Sequence, residues 1–161
     1  MTTASAPAEP AGPPCFNTQY HFTCRVPKGY VIADEKEGPG AVMTLSQTTL
    51  RASIIPVSIT VKAYPLGRST LERFVGRRVT NGLEGAKDVT HWEKNPAGYG
   101  NYQGFEVTVD RQYSSGQFKS RIFAFVRDPY AILVDITAPA ETYDGSQNVL
   151  GAFVSSISFD P

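Results

Sequence analysis

Few residues of this 161-residue chain combine the types and spacing that chemistry requires. The histidines are His21 and His91, and the cysteines are Cys15 and Cys24. A transition-metal site gathers three or four His, Cys or carboxylate ligands, commonly at short repeated spacings. Neither His-x-x-x-His nor a second cysteine pair is present, so no metal and no cofactor is expected. The acidic run Asp34, Glu35 and Glu37 is interrupted by Lys36 and lacks the alternation of a calcium loop, which makes it a solvated loop. A hydrolytic serine needs a sharp elbow with a histidine in reach, and neither Tyr143-Asp144-Gly145-Ser146 nor Ser114-Ser115-Gly116 fits that pattern. The glycines of Gly98-Tyr99-Gly100-Asn101-Tyr102-Gln103-Gly104 are one residue too widely spaced for a dinucleotide loop. They also lead into a strand pattern rather than a helix N-terminus. No catalytic residue is assigned, and the chain is not expected to be an enzyme.

The cysteines admit two readings. They stand nine positions apart around FNTQYHFT, and if that segment turns back the sulfurs can meet as a disulfide of an oxidising compartment. They also fit free thiols of a cytoplasmic protein. The disulfide is preferred, and with it a periplasmic or exported location. What remains with binding potential is aromatic and basic. Trp92, Tyr99, Tyr102, Phe105 and Tyr113 could form an exposed surface for a partner, since such rings anchor interfaces. Arg77, with Arg78, marks either a docking patch or a solvated helix face.

These candidates ride on a strand-rich framework. Period-two alternation predicts strands over residues 20–26, 30–32, 41–47 and 53–64, with Ile55, Val57, Ile59 and Val61 sharing a face of the last. His21 falls on the solvent side of the first. Pro56 inside the fourth suggests an edge or a bulge, because proline cannot donate to a ladder. Ser69-Thr70-Leu71-Glu72 reads as a capping box. It opens a helix whose stripe is Leu71, Phe74, Val75, Arg78, Val79 and Leu83, ending near Asn81-Gly82 or Gly85. Strands resume over 89–94, 99–110, 118–127 and 130–138, separated by turns at 95–98, 113–117 and 128–129. The last two are apolar on both sides, so each face of the sheet needs a cover. A second helix carries Val149, Leu150, Phe153, Val154 and Ile157, N-capped by Asp144 or Ser146, and residues 157–159 suggest a closing strand. Hairpin-linked strands with two helices describe an α+β antiparallel architecture.

Composition narrows the functions. Fifteen Lys plus Arg balance fifteen Asp plus Glu, and 41% of residues are hydrophobic. A neutral chain lacks the charge excess behind sequence-independent nucleic-acid binding, and no apolar run nears the roughly 20 residues of a membrane span. No nucleic-acid partner and no direct membrane insertion is expected. Residues 1–14, with four Ala and four Pro, read as a flexible tail, and residues 15–161 as a single domain. Met1 is either a start left where an export signal was removed or the natural start of a cytoplasmic protein.

The run YHFTCRVPKGY resembles the opening of PsbP/Mog-like domains, STLERFVGRRV their mid-chain helix, and AILVDITAPAETYDGSQNVLGAFVSSISF their closing strand, turn and helix. The likeness spans about Phe16 to Asp160, with Tyr30 where the family usually has tryptophan. It implies an antiparallel sheet flanked by α-helices on both faces, an α/β/α sandwich. Relatives include photosystem extrinsic subunits, Ran-binding proteins, bacterial lipoproteins and chaperones of type VI secretion effectors. The resemblance implies a binding or assembly module. With no reactive constellation and an aromatic-rich β surface, the chain is expected to be a non-enzymatic module that docks on and stabilises a larger protein assembly through its sheet face or strand edge. Its Pro-rich arm is expected to be a tether or an extended segment lying on the partner. Two alternatives are a cytoplasmic chaperone for apolar effector helices and a pocket for a small apolar ligand with Tyr99, Tyr102 or His91 at its mouth. No family site residue carries over, because the matching positions are structural.

Overall fold

The computed structural model describes residues 12–48 and 55–160. In it the alternating segments form ten strands: β1 (Pro14–Asn17), β2 (Phe22–Arg25), β3 (Tyr30–Glu35), β4 (Gly40–Gln47), β5 (Ser58–Pro65), β6 (Val89–Tyr99), β7 (Tyr102–Tyr113), β8 (Gly116–Arg127), β9 (Tyr130–Pro139) and β10 (Ser158–Phe159). They make two antiparallel sheets, not one. Seven strands run in the order β3-β4-β5-β9-β8-β7-β6, and three in the order β1-β2-β10.

The apolar-on-both-sides strands β8 and β9 are neighbours near the middle of the large sheet, and each face is covered. Helix α1 lies on one face. It starts at Leu71–Val75, widens into a π-helical turn at Gly76–Thr80, and closes with Asn81–Leu83. Its Phe74, Val75 and Leu83 pack on Val107, Val109, Ala124, Ala131 and Leu133. The opposite face is covered by helix α2 (Ser146–Ser156) through Leu150, Phe153 and Val154, together with Cys15, Phe22, Cys24 and Val26 of the small sheet and its flank. Beneath them lie Ile59, Val61, Phe123, Phe125, Ile132, Val134 and Ile136. Burying each such side chain stabilises by about 1.5–3 kcal/mol.

Several local expectations move. The helix cap is Thr70, whose Oγ1 accepts from the Arg73 amide at 3.2 Å, while Ser69 donates to the Thr70 carbonyl at 3.0 Å. The capping box does not close, because Glu72 accepts instead from Lys94 at 3.3 Å. The wide π turn carries Thr80 into the core, and Arg78, expected on the buried stripe, is exposed with its guanidinium 4.5 Å from the Tyr64 ring centre. Neither Asp144 nor Ser146 caps α2; a 3-10 turn (Ala140–Gly145) feeds it directly and Gly145 takes the cap position.

The turn expected at 95–98 is strand: Pro96 pairs with Phe105 in a β6–β7 register that is continuous from His91 to Tyr99, and the chain reverses at Gly100-Asn101 instead. Gly100 has φ +59°, the left-handed region that glycine enters without strain. Pro56 precedes β5, which lies inside the sheet rather than at its edge. Residues 53 and 54 of the expected fourth strand lie outside the described residues. At the N-terminus, the Gly12 amide donates to the Val26 carbonyl at 2.8 Å and Pro14 opens β1, so the ladder reaches into the stretch expected as tail. Residues 1–11 lie outside the described residues. Cys15 faces Cys24 across β1–β2 with Cα atoms 4.9 Å apart, and the two are joined as a disulfide.

Candidate functional site

The five residues nominated as interaction candidates do not converge. Trp92 and Tyr99 sit seven positions apart on β6 and therefore point to opposite faces. Trp92 packs half-buried on the α1 side. Tyr99 packs edge-on against Phe123 with centroids 4.9 Å apart, and Tyr102 stacks on Phe125 at 4.5 Å while its hydroxyl donates to the Ile157 carbonyl. These rings are largely core. Tyr113 is 43% exposed at the far end of β7, leaning on Phe118. Arg77 is exposed on α1 with its guanidinium 5.8 Å from the Phe74 ring centre. His91 is exposed and 3.1 Å from Glu93, and His21 is exposed at the turn into β2 with φ +59°.

Tyr99 and Tyr102, expected at the mouth of a ligand pocket, pack instead against the core. A surface cleft of about 190 Å³ is lined by Thr90, Asp110, Arg111, Gln112, Gln117, Phe118 and Lys119. That volume is below the roughly 300 Å³ at which small-molecule sites begin, and neither Tyr99, Tyr102 nor His91 lines it.

A polar cluster that no sequence motif marks ties three strands together. Glu106 of β7 accepts from both Arg121 of β8 and the Tyr99 hydroxyl of β6, and the Arg121 guanidinium lies 5.4 Å from the Tyr143 ring centre. The side chains of Arg121 and Glu106 are 14% and 13% exposed. Burial, then the hydrogen bond to Glu106, pushes the Tyr99 hydroxyl up to about 12. A carboxylate held between a guanidinium and a phenol is a lock rather than a catalyst, since both its oxygens are engaged. The readable signal was a Glu and an Arg on neighbouring strands in phase with Phe123, one diagonal step apart. On the other face Lys62 and Asp135 pair at 3.3 Å; burial raises the Asp135 carboxyl against the pull of Lys62. Among the described residues, no group of three or more His, Cys, Asp or Glu side chains is placed to hold a metal, and no helix is long and apolar enough to cross a membrane.

The accessible feature is a sheet edge. Of the six β3 residues only Tyr30 is half-buried; the rest are exposed, including Val31 at 49% and Ile32 at 39%. Thr48 donates to the Gly29 carbonyl at 2.7 Å. Alternation along an antiparallel ladder then turns the N–H and C=O of Ile32 outward, away from β4. The opposite edge, β6, carries Pro96. Proline is tolerated in a ladder where its nitrogen faces away from the partner strand, so at this one position the rim presents a ring in place of a donor.

No protein-family model matches the chain, and no curated protein sequence matches it. Solved structures do. LpqN, involved in cell envelope biogenesis of Mycobacterium tuberculosis, matches with a TM-score of 0.63 at 10% identity, covering 96% of this chain and 88% of its own. The Ran-binding protein Mog1p of Saccharomyces cerevisiae matches with a TM-score of 0.62 at 12% identity, over 91% and 94%. Cyanobacterial PsbP (CyanoP) from Synechocystis sp. PCC 6803 matches with a TM-score of 0.50 at 14% identity, over 99% of both chains. The chain spans about half, 49%, of a further matching structure from Bacteroides thetaiotaomicron. Likeness at these identities is likeness of fold, and the fold is PsbP/Mog-like.

Proposed function

We propose that the chain is a non-enzymatic protein-binding module that docks on a larger assembly by accepting an extended segment of its partner along β3. The carrying observation is the β3 edge, unpaired among the described residues, where outward backbone groups at Ile32 accompany exposed Val31 and Ile32. Exposed apolar edges of this kind pair with foreign strands. The Ran-binding neighbour is consistent with a role in protein binding. The Cys15–Cys24 disulfide favours an oxidising, exported setting over a cytoplasmic chaperone for effector helices. Tyr99 and Tyr102 packing into the core, not around an opening, weighs against an apolar-ligand carrier.

The test is co-purification of the full chain from its native source, comparing wild type with Ile32→Pro and Val31→Lys. Ile32→Pro removes an outward donor and leaves the β4 ladder intact; Val31→Lys places a charge on the rim. Both are expected to lose the partner while keeping the wild-type melting temperature. A monomer that recovers nothing, or a partner retained by both variants, overturns the reading.

A further inference from the structure

The chain is neutral overall, yet its charges are not evenly distributed. Arg68, Arg73, Arg77 and Arg78 fall within eleven residues that include a single acid, Glu72. All four arginines are exposed. Several cations elsewhere find carboxylates: Lys62 on Asp135 at 3.3 Å, Arg111 on Asp88 at 2.7 Å, Lys119 on Asp110 at 3.7 Å, and Arg121 on Glu106. Among the described residues no carboxylate lies within ion-pair distance of any of these four. The one acid beside them is drawn off, because Glu72 pairs with Lys94 of β6 at 3.3 Å.

Two of the guanidiniums are already oriented. Arg77 lies over the Phe74 ring at 5.8 Å and Arg78 over Tyr64 at 4.5 Å. Stacking holds the planar face and leaves the in-plane N–H donors open, the fork that matches a carboxylate in bidentate fashion. Side chains fixed this way lose less freedom on binding. Arg73 stands four residues before Arg77, hence on the same side of the helix.

We infer that α1 and the loop before it form a second docking surface, for a Glu/Asp-rich segment of a protein partner. It is independent of the β3 reading, since it uses another layer of the fold. The helix offers no apolar anchor for a membrane surface: the exposed large hydrophobics among the described residues are Phe16, Val31, Ile32, Ile55, Tyr113 and Val126, none on α1. Four cations are also fewer than the roughly 6–10 phosphate contacts that sustain nucleic-acid binding.

The experiment titrates the full chain into a fluorescent polyglutamate peptide, with a single-stranded DNA oligonucleotide and phosphatidylserine vesicles as parallel arms. Saturable peptide binding is expected, weakening as salt rises from about 0.05 to about 0.3 M. R73E/R77E/R78E is expected to lower affinity about tenfold, and K36E, on a distant loop, to leave it unchanged. The R77K/R78K variant keeps the charge but loses the fork, so it is expected to bind measurably more weakly than wild type; it carries the test should the triple reversal fail to fold. Absence of peptide binding at low salt, affinity untouched by these arginine changes, or tighter binding of DNA or vesicles overturns the inference. Loss of peptide binding with the β3 partner retained separates its failure from that of the strand-edge reading.

Discussion

The two rims of the seven-stranded sheet have opposite characters. On the β6 side the strands are long, the last hairpin is closed by Gly100, and Tyr99, Glu106 and Arg121 tie three neighbouring strands together inside the fold. Pro96 then removes a donor from the rim. On the β3 side six residues are held mainly by β4, and little of the strand is buried. Proline interrupts one rim, and the other carries outward backbone groups and exposed apolar side chains that the described residues leave unpaired. On the proposed reading, fold stability and partner binding fall to different ends of one sheet.

Mutations can sharpen or break this contrast. The largest effect is expected for Glu106→Ala, which leaves the Arg121 guanidinium buried without its carboxylate; a loss of about 3–5 kcal/mol should appear in denaturant unfolding. The matching truncation on the other rim, Val31→Ala, should stay within about 0.5 kcal/mol. Comparable losses from the two would erase the distinction. Gly104→Ala comes next. Its added Cβ would stand 1.8 Å from the Ala124 carbonyl oxygen, so β7 and β8 must separate, at a cost of about 1–3 kcal/mol.

The smallest effect is one of pH. Tyr99 ionises at about 12 in the fold against about 10 in the unfolded chain. A raised folded value means that the neutral phenol's contribution is fully present below about pH 10 and is lost as pH climbs toward about 12. Thermal melts should fall over that window, and Tyr99→Phe should flatten the fall. An unchanged profile in the phenylalanine variant would place the alkaline sensitivity elsewhere.

The sequence made the layers legible and the rims much less so. Ile59, Val61, Val107 and Val109 reveal their faces by period two, and Phe74, Val75 and Leu83 theirs by helical spacing, because one-sided burial writes itself into local pattern. Asn95-Pro96 reads as a turn by composition, yet an edge strand absorbs a proline, so tertiary position overrides the local signal. β1 is four residues beside a Pro-rich stretch, and its pairing is visible only once Cys15 meets Cys24. Glu106 and Arg121 are ordinary charged residues until the β7–β8 register sets them diagonally adjacent. The aromatic candidates failed to gather for the same reason: Trp92 and Tyr99 are near in sequence, but an odd separation on a strand sends them to opposite faces.

The small sheet has a mechanical consequence. β1 and β10 flank β2, with Pro14 opposite Arg25 and Phe159 opposite Phe22, so a pull applied at these two residues runs along the strands from opposite ends of β2. Such a load shears rather than unzips. The Cys15–Cys24 crosslink forbids sliding of β1, leaving the two-residue β10 to yield first while the large sheet stays unloaded.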